Sequence, residues 1–185
     1  MSFRTSEIKI AEEISSTLNG VSEEQVEQLM QEIQQAKRVF FVGVGRVLLS
    51  LEAFAKRLAH IGIDTVVVGQ ITEPAITAED LLIVGSGSGE SAFPLAIAKK
   101  AKTFDATVVH VGSNPDSSMK EYADKFVRIP VQTKLNLAGE IPSVQPMTSL
   151  FEQCLLLLGD AIALTLIEEK EIDMHGLWRF HANLE

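Results

Sequence analysis

Apolar residues follow two different spacings along the chain, and the change from one to the other divides it into two parts. Over the first 36 residues they recur every three or four positions, which predicts amphipathic helices over Ser6–Leu18 and from Ser22 onward. Ser22 followed by Gln25 is typical of a capping box at a helix start. From Val39 the apolar residues instead form short continuous runs, which are typical of strands buried on both faces of a sheet.

Five such runs alternate with segments of helical spacing. The predicted strands are Val39–Val44, Thr65–Val68, Leu81–Val84, Thr107–Val111 and Phe126–Ile129. The predicted helices are Arg46–Ile61, Ala92–Phe104 and, after a loop over Val131–Ser143, a long helix from about Gln145 to Lys170. Strands that alternate with helices predict a parallel sheet with right-handed crossovers. We therefore expect an α/β fold: a three-layer α/β/α sandwich around a five-stranded parallel sheet of the flavodoxin-like order 2-1-3-4-5.

The length of the chain sets the number of domains. A chain of 185 residues, 46% of them hydrophobic, is long enough for one hydrophobic core and short for two. We expect a single domain over residues 1–185, with N-terminal helices at 1–36, an α/β core at 37–130, and a C-terminal helix and tail at 144–185.

The charge and the cysteine content narrow the class of protein. A net charge of −9 argues against nucleic acid or an anionic membrane as partner, because both bind to basic surfaces. The one cysteine, Cys154, is expected to be a buried core residue, and a lone cysteine fits a reducing compartment. Met1–Lys9 is too polar for a signal peptide, and the apolar run Cys154–Ile167 is broken and short for a membrane span. These features predict a cytoplasmic protein.

The segment most informative about chemistry follows the third predicted strand. It reads Ser86-Gly87-Ser88-Gly89-Glu90-Ser91 and leads into the helix at Ala92. Glycines let the backbone approach a ligand, and the first amides of a helix have no partner within the helix. Three hydroxyls beside those amides, at the positive end of the helix dipole, form a receptor for a phosphate group.

The predicted strand order places a second loop beside this one. Ligands of open α/β sheets bind where the winding direction reverses, which in the order 2-1-3-4-5 is between strands one and three. The loop Gly43–Arg46 follows strand one and should therefore face Ser86–Ser91 across the crevice. Arg46 would then be available to the ligand, and we predict a single phosphate-binding site there.

Two nucleotide-binding motifs do not fit these loops. A dinucleotide fingerprint beginning at Gly43 would need a third glycine where the chain has Leu48, and an acidic residue near Gln70. A nucleotide P-loop would need Gly-Lys-Ser/Thr, which does not follow the Gly/Ser segment. A strand-to-helix turn without a ligand would explain one or two glycines, but it leaves the three serines unexplained.

The Gly/Ser segment also resembles a known family. Ser86–Ser91 is similar to the phosphate-binding signature of sugar isomerase (SIS) domains. Ser143–Gln153 and the terminal His181–Glu185 resemble the bacterial 6-phospho-3-hexuloisomerases within that group. The resemblance covers nearly the whole chain. It implies the five-stranded sandwich, interconversion of a 3-ketohexose 6-phosphate with fructose 6-phosphate, no metal or other cofactor, and a homotetramer whose sites lie at subunit boundaries.

The substrate would be held by residues of both loops. The expected phosphate-binding residues are Ser86, Gly87, Ser88, Gly89 and Ser91. Gly45 and Arg46 are the expected contacts from the facing loop, with Arg46 as the cation for sugar or phosphate oxygens. The resemblance adds Gln145 as a contact to the sugar.

A ketose isomerase needs a base that moves a proton between neighbouring carbons and donors that stabilise the enediolate between the two steps. Glu152, early in the long helix and beside apolar residues that would desolvate it, is the expected base. The resemblance gives Glu152 the same role and adds His181, in its own or a neighbouring subunit. Glu90 would repel a phosphate, so we expect it to point away or to bond the backbone.

The other three histidines are not expected to be site residues. His110 falls in the fourth strand and is expected in the core. His60 falls at a helix C-terminus, where the dipole favours a cation, and His175 is expected to be exposed. No His, Cys and Asp cluster has metal-ligand spacing.

The chain departs from the family pattern after the first strand. The family has Gly-Ala-Gly-Arg-Ser-Gly, whereas this chain has Val47 and Leu48 at the last two positions. Loss of one hydroxyl contact to a charged phosphate is expected to cost about 1.5–3 kcal/mol, roughly ten- to hundredfold in affinity. Two alternatives to the hexulose isomerase therefore stay open: a phosphosugar-binding protein without catalysis, and an isomerase of another sugar phosphate.

Overall fold

The structure, a computed structural model, describes residues 2–133 and 136–184. Met1, Lys134, Leu135 and Glu185 lie outside the described residues. They include the last residue of the terminal stretch His181–Glu185 and two residues of the predicted loop Val131–Ser143.

The described residues form five strands and five α-helices. The strands are β1 (Val39–Val42), β2 (Thr65–Val67), β3 (Leu81–Gly85), β4 (Thr107–Gly112) and β5 (Lys125–Arg128). The helices are α1 (Phe3–Leu18), α2 (Glu23–Gln35), α3 (Gly45–His60), α4 (Ala92–Lys102) and α5 (Ser149–Glu169). Short 3-10 helices cover Ser118–Glu121 and Met174–Phe180.

The sheet is parallel, and its order β2-β1-β3-β4-β5 confirms the prediction. β1 and β3 are direct neighbours, with Val39 opposite Leu81 and Val42 opposite Val84. The loops that follow these two strands consequently leave the same edge of the sheet side by side. β3 runs one residue beyond its predicted end, because Gly85 pairs with Val111 of β4.

Alternate side chains of each central strand enter two separate cores, which confirms the three-layer sandwich. Val39 and Phe41 pack in the core formed with α2, α3 and α5. Phe40 and Val42 pack on the opposite face, in the core formed with α4 and the 3-10 helix at Ser118–Glu121. Burial on both faces explains the continuous apolar runs, since no position of such a strand faces water.

The long helix begins later than predicted. α5 starts at Ser149, with Thr148 as its N-cap, whereas the apolar spacing indicated a start near Gln145. Met147 has a φ of 59°, a left-handed conformation that cannot be part of a right-handed helix, and Pro146 precedes it. The four residues before α5 are therefore loop. α1 differs in the other direction: it begins at Phe3, where Ser2 accepts a hydrogen bond from the Thr5 amide.

α5 is a core helix. By length and composition it is apolar enough to cross a membrane, but 61% of its most apolar 18-residue window is buried inside the fold. Cys154, as predicted, is fully buried there, and burial raises the pKa of its thiol to about 11. The apolar composition of α5 therefore reflects its packing against α1 and α3.

Candidate active site

A cavity of about 630 Å³ opens at the carboxyl edge of the sheet, where the loops after β1 and β3 meet. One side is formed by the Gly/Ser segment and by the first residues of α3. The other side is formed by the loop that precedes α5 and by the first turn of α5 itself. The cavity thus lies at the reversal point of the sheet, where the strand order predicts a ligand.

The Gly/Ser segment forms a compact turn that presents hydroxyls to the cavity. The Gly89 amide donates to Ser86 Oγ at 3.1 Å, and Ser86 Oγ lies 3.3 Å from Ser91 Oγ. Ser91 is the N-cap residue of α4, but its side chain makes no capping hydrogen bond. Among the described residues, the Ser91 O–H and the amides of Ala92 and Phe93 therefore remain as donors for a ligand, while the Ser91 oxygen accepts from Ser86 Oγ. Such a group of donors at a helix N-terminus favours an anion.

A buried histidine holds this turn from behind. His110 on β4 is 2% exposed, and its Nε2 lies 2.8 Å from the Ser86 carbonyl oxygen. Burial lowers the pKa of His110 to about 4, and the bond to Ser86 offsets this only in part. The ring is therefore neutral at pH 7, and Nε2–H donates to the carbonyl. The prediction that His110 is a core residue is confirmed, and its hydrogen bond supports the Gly/Ser turn.

Gly89 is required for the shape of the turn. Its φ is 68°, and a Cβ added there would lie 2.0 Å from Ser117 Oγ. Gly89 does not line the cavity, whereas Gly87 does. The structure thus places Gly89 as a support of the Gly/Ser turn.

Glu152 faces the Gly/Ser segment from the first turn of α5. Its side chain is 10% exposed and lines the cavity, where one of its carboxylate oxygens accepts a hydrogen bond from Arg46 Nε. The other oxygen lies 3.5 Å from Thr148 Oγ1. Ser50 Oγ donates to the Glu152 backbone carbonyl at 2.8 Å, which ties α3 to this turn of α5. Glu152 is the only carboxylate, and Arg46 the only Lys or Arg, among the described residues that line the cavity.

The loop before α5 is held by a carboxylate from the start of the chain. Glu13 on α1 accepts hydrogen bonds from Ser143 Oγ at 2.7 Å, the Val144 amide at 2.8 Å and Gln145 Nε2 at 3.0 Å. Burial alone would raise the pKa of Glu13, but these three donors outweigh it and lower that pKa. Ser143 and Gln145 both line the cavity, so Glu13 shapes one wall without lining it.

Eight of the ten predicted site residues line this one cavity. They are Gly45, Arg46, Ser86, Gly87, Ser88, Ser91, Gln145 and Glu152. The two exceptions are Gly89, described above, and His181.

His181 lies at the far end of α3. Its ring stacks on His60 with centroids 5.3 Å apart and lies 5.2 Å from the ring of Trp178. Because α3 rises about 1.5 Å per residue, His60 is roughly 22 Å from the end of α3 that borders the cavity. Within one chain, His181 and Glu152 are therefore not brought together. His175 is exposed, as predicted.

The two departures from the family pattern occupy different places. Val47 lines the cavity and packs over Gly85, where an added Cβ would lie 2.9 Å from Val47 Cγ1. Leu48 is not among the described residues that line the cavity. Glu90 turns away from the cavity and accepts a hydrogen bond from the Ser118 amide at 2.7 Å, which confirms its predicted backbone bond.

Several lining residues were missed by sequence reasoning. They are Gln132, Thr133, Asn136, Ser143, Met147 and Thr148. These residues belong to an irregular segment with no periodicity that predicts which side chains face inward. The Glu13 contact was missed as well, since it joins residues about 130 positions apart. Within residues 2–133 and 136–184, no group of three or more His, Cys, Asp and Glu side chains is placed to hold a metal ion.

Comparison with known proteins gives a consistent picture. A 3-hexulose-6-phosphate isomerase of Bacillus subtilis (strain 168) is 39% identical over 177 residues, which cover 96% of each chain. A protein of the same name from Mycobacterium gastri is 40% identical over 176 residues, covering 95% of this chain and 88% of that protein. The crystal structure of a Methanococcus jannaschii protein, for which the function of a 3-hexulose-6-phosphate isomerase was inferred, matches with a TM-score of 0.84 at 27% identity, covering 98% of this chain and 99% of that one.

A family model gives the same assignment. The model of the SIS domain matches residues 32–157, more than half of the chain. The matched range contains both loops at the sheet edge and the first turns of α5, and so it contains every described residue that lines the cavity. Glu13 lies outside the matched range. The chain therefore belongs to the SIS domain family.

Proposed function

We propose that the protein is a phosphosugar isomerase that interconverts 3-hexulose 6-phosphate and fructose 6-phosphate through an enediolate. The observation that carries the proposal is the cavity itself, in which a phosphate-type turn and a single carboxylate face each other. Relatives that bear the name of this isomerase, at 39% and 40% identity over nearly the whole chain, support the choice of substrate.

The phosphate binds at the Gly/Ser turn. The hydroxyls of Ser86, Ser88 and Ser91 and the first amides of α4 donate to its oxygens, and the helix dipole favours its charge. Anchoring one end of the sugar in this way leaves the carbon chain to extend across the cavity toward α5. A fixed distance between phosphate and base then selects which carbons react.

Glu152 is the base. In the direction of fructose 6-phosphate formation, a Glu152 oxygen removes the proton from C2 of the 3-hexulose, and the C–H electrons form the C2–C3 double bond of the enediolate. The same carboxyl group returns the proton to C3, while the O2 hydroxyl proton passes to O3 and C2 becomes the carbonyl. Neither step changes the overall oxidation state, so no external oxidant or reductant is needed.

Arg46 has two roles in this scheme. In the structure its guanidinium is hydrogen-bonded to Glu152, which holds the carboxylate in the cavity. Its side chain is 65% exposed, so it can turn toward a ligand. With substrate present we expect Arg46 to donate to the developing enediolate oxygens, which releases one carboxylate oxygen for proton transfer.

Two alternatives have specific support. Val47 lines the cavity where the family pattern has a serine, which favours weaker phosphate contacts and so a phosphosugar-binding protein without turnover. The second alternative, isomerisation of another sugar phosphate such as a pentose 5-phosphate or a heptose phosphate, rests on the same change in the cavity wall. A substrate panel separates it from the hexulose activity.

We further propose that the protein is a cytoplasmic homo-oligomer, a tetramer by its resemblance to the family. Leu157 and Leu164, seven residues apart on α5, are 39% and 53% exposed, and Leu49 on α3 is 62% exposed. A second copy of the chain would cover these leucines, and a neighbouring tail would bring His181 to the site. Light scattering of the wild type and of Leu157→Glu tests this association.

The test of the function uses purified protein and fructose 6-phosphate in D₂O. An enediolate mechanism exchanges the proton at C3 for deuterium and produces the 3-hexulose, both visible by NMR. The same signals should be absent with Glu152→Gln. Binding of fructose 6-phosphate without exchange or conversion would replace the enzyme by the binding-protein alternative.

A further inference from the structure

Gln145 and Glu13 together give the cavity an oriented hydrogen-bond acceptor, which neither the Gly/Ser turn nor Glu152 provides. A side-chain amide offers a donor end and an acceptor end, and these are assigned from the network around them. For Gln145 the network decides the assignment. Nε2 lies 3.0 Å from Glu13 Oε2, and an ionised carboxylate only accepts hydrogen bonds.

The NH₂ group of Gln145 is therefore directed at Glu13, and its carbonyl oxygen is left as the acceptor. No hydrogen bond to this oxygen is formed within residues 2–133 and 136–184. The Gln145 backbone is fixed as well, because its amide donates to Ser143 Oγ at 3.0 Å and that hydroxyl donates to Glu13. Both ends of the residue thus depend on the same carboxylate.

We propose that Glu13 is a positioning residue that orients Gln145 so that Gln145 Oε1 accepts a hydrogen bond from a hydroxyl of the bound sugar. An acceptor at this point attracts a hydroxyl and repels a carbonyl oxygen or a phosphate oxygen. Glu13 and Gln145 therefore recognise the hydroxyl-bearing part of the ligand, while the Gly/Ser turn recognises the phosphate. This inference rests on the proposed function for its ligand.

The charge of Glu13, as well as its distances to the loop before α5, supports its positioning role. The three donors on Glu13 come from three consecutive residues, Ser143, Val144 and Gln145, and both carboxylate oxygens are used. Hydrogen bonds to a charged acceptor are the stronger ones, so the carboxylate fixes this segment more firmly than a neutral side chain would. The arrangement joins α1, which does not line the cavity, to the cavity wall.

The test measures binding by calorimetry, with fructose 6-phosphate and inorganic phosphate as the two probes. The Glu13→Gln variant keeps the size of the side chain and loses the charge, and we expect fructose 6-phosphate to bind roughly ten- to hundredfold more weakly. Inorganic phosphate, which carries no sugar hydroxyl, should bind with unchanged affinity. Glu12→Gln on the same helix is the matched control, because Glu12 is exposed, and it should resemble the wild type.

A double-mutant cycle shows whether Glu13 acts through Gln145. Gln145→Met keeps the length of the side chain and removes the acceptor without altering α1. We expect Gln145→Met to weaken fructose 6-phosphate as much as Glu13→Gln does, and the double variant to be no weaker than Gln145→Met alone. Additive losses would overturn the positioning role, and equal losses for both probes would show a structural effect.

The outcomes also separate this inference from the proposed function. If the wild type binds fructose 6-phosphate and Glu13→Gln binds it equally well, the inference is wrong while the isomerase proposal is unaffected. If the wild type binds inorganic phosphate but not fructose 6-phosphate, the proposed function fails and this inference fails with it. In the assay of turnover, Glu13→Gln should raise KM and leave kcat within about threefold, because the contact is made equally in the ground and transition states.

Discussion

The two walls of the cavity are held in place by different kinds of contact. The Gly/Ser wall is fixed by its own turn and by the neighbouring strand, through Gly89 and through His110 on β4. The opposite wall is irregular and is fixed from a distance, by Glu13 on α1 and by the ion pair between Arg46 and Glu152. The Gly/Ser wall suits the phosphate group, which all phosphosugars share. The opposite wall suits the sugar hydroxyls, which differ between phosphosugars, and the carbon atoms that react.

This difference predicts which substitutions weaken the binding of every phosphorylated ligand and which lower only the rate of turnover. The largest effect is expected from Glu152→Gln, because it removes the proposed base but keeps the size of the side chain. We expect kcat to fall by about 10²–10⁴-fold, with binding of fructose 6-phosphate retained. The measurement is turnover together with calorimetric binding. Glu168→Gln, an exposed position on the same helix, is the control, and full activity of Glu152→Gln would eliminate the assigned base.

The second prediction concerns His110, which supports the Gly/Ser wall. The pKa of His110 is about 4 in the folded protein, against an ordinary value of 6.5, so the unfolded chain takes up a proton at higher pH than the folded chain does. The free energy of unfolding should therefore fall as the pH drops from about 6.5 to about 4, by about 3 kcal/mol from this group. Denaturant unfolding across that range gives the slope.

His110→Gln isolates this contribution, because its amide can donate to the Ser86 carbonyl without titrating. The variant should show a shallower pH dependence than the wild type over the same range. If both proteins lose stability equally between pH 6.5 and pH 4, the loss comes from carboxyl groups and His110 is not the cause.

The third prediction compares one serine from each wall. Ser88→Ala should weaken binding of both fructose 6-phosphate and inorganic phosphate by about ten- to hundredfold, since it removes a hydroxyl that we propose donates to the charged group. Ser143→Ala on the opposite wall should weaken only the sugar phosphate. Calorimetry measures the affinity of each variant for the two ligands. If both variants lose the same affinity for each ligand, the two walls do not bind different parts of the ligand.

The smallest effect is expected at Val47. Val47→Ser restores the hydroxyl of the family pattern at a position that lines the cavity, and we expect sugar-phosphate affinity to rise by up to about tenfold. Val44→Ser, at a partly exposed position that also lines the cavity, is the control. Unchanged affinity of Val47→Ser would mean that the amides and the other serines already satisfy the phosphate.

The two walls also differ in how far the sequence predicts them. The Gly/Ser turn could be predicted because its chemistry is local: strand, glycines, hydroxyls and helix start are consecutive. The strand order then placed Arg46 opposite, since parallel strands end at one edge of the sheet. The start of α5 could not be predicted from apolar spacing, because Met147 adopts a left-handed conformation that spacing does not show.

The other parts of the site that the sequence did not predict depend on contacts between segments that are distant in the chain. Glu13 reads as an ordinary helix carboxylate, and only the packing of α1 against the loop before α5 shows its role. His181 matches a family motif, yet its place beside His60 depends on how the tail returns along α3. Regular packing and local turns are therefore predictable here, and the irregular wall requires the tertiary structure.

The most direct test of the proposed site is a crystal structure of the protein with fructose 6-phosphate. We expect the phosphate within hydrogen-bonding distance of the hydroxyls of Ser86, Ser88 and Ser91, with C2 and C3 of the sugar beside the Glu152 carboxylate. A phosphate bound elsewhere, or a sugar whose C2 and C3 lie out of reach of Glu152, would contradict it.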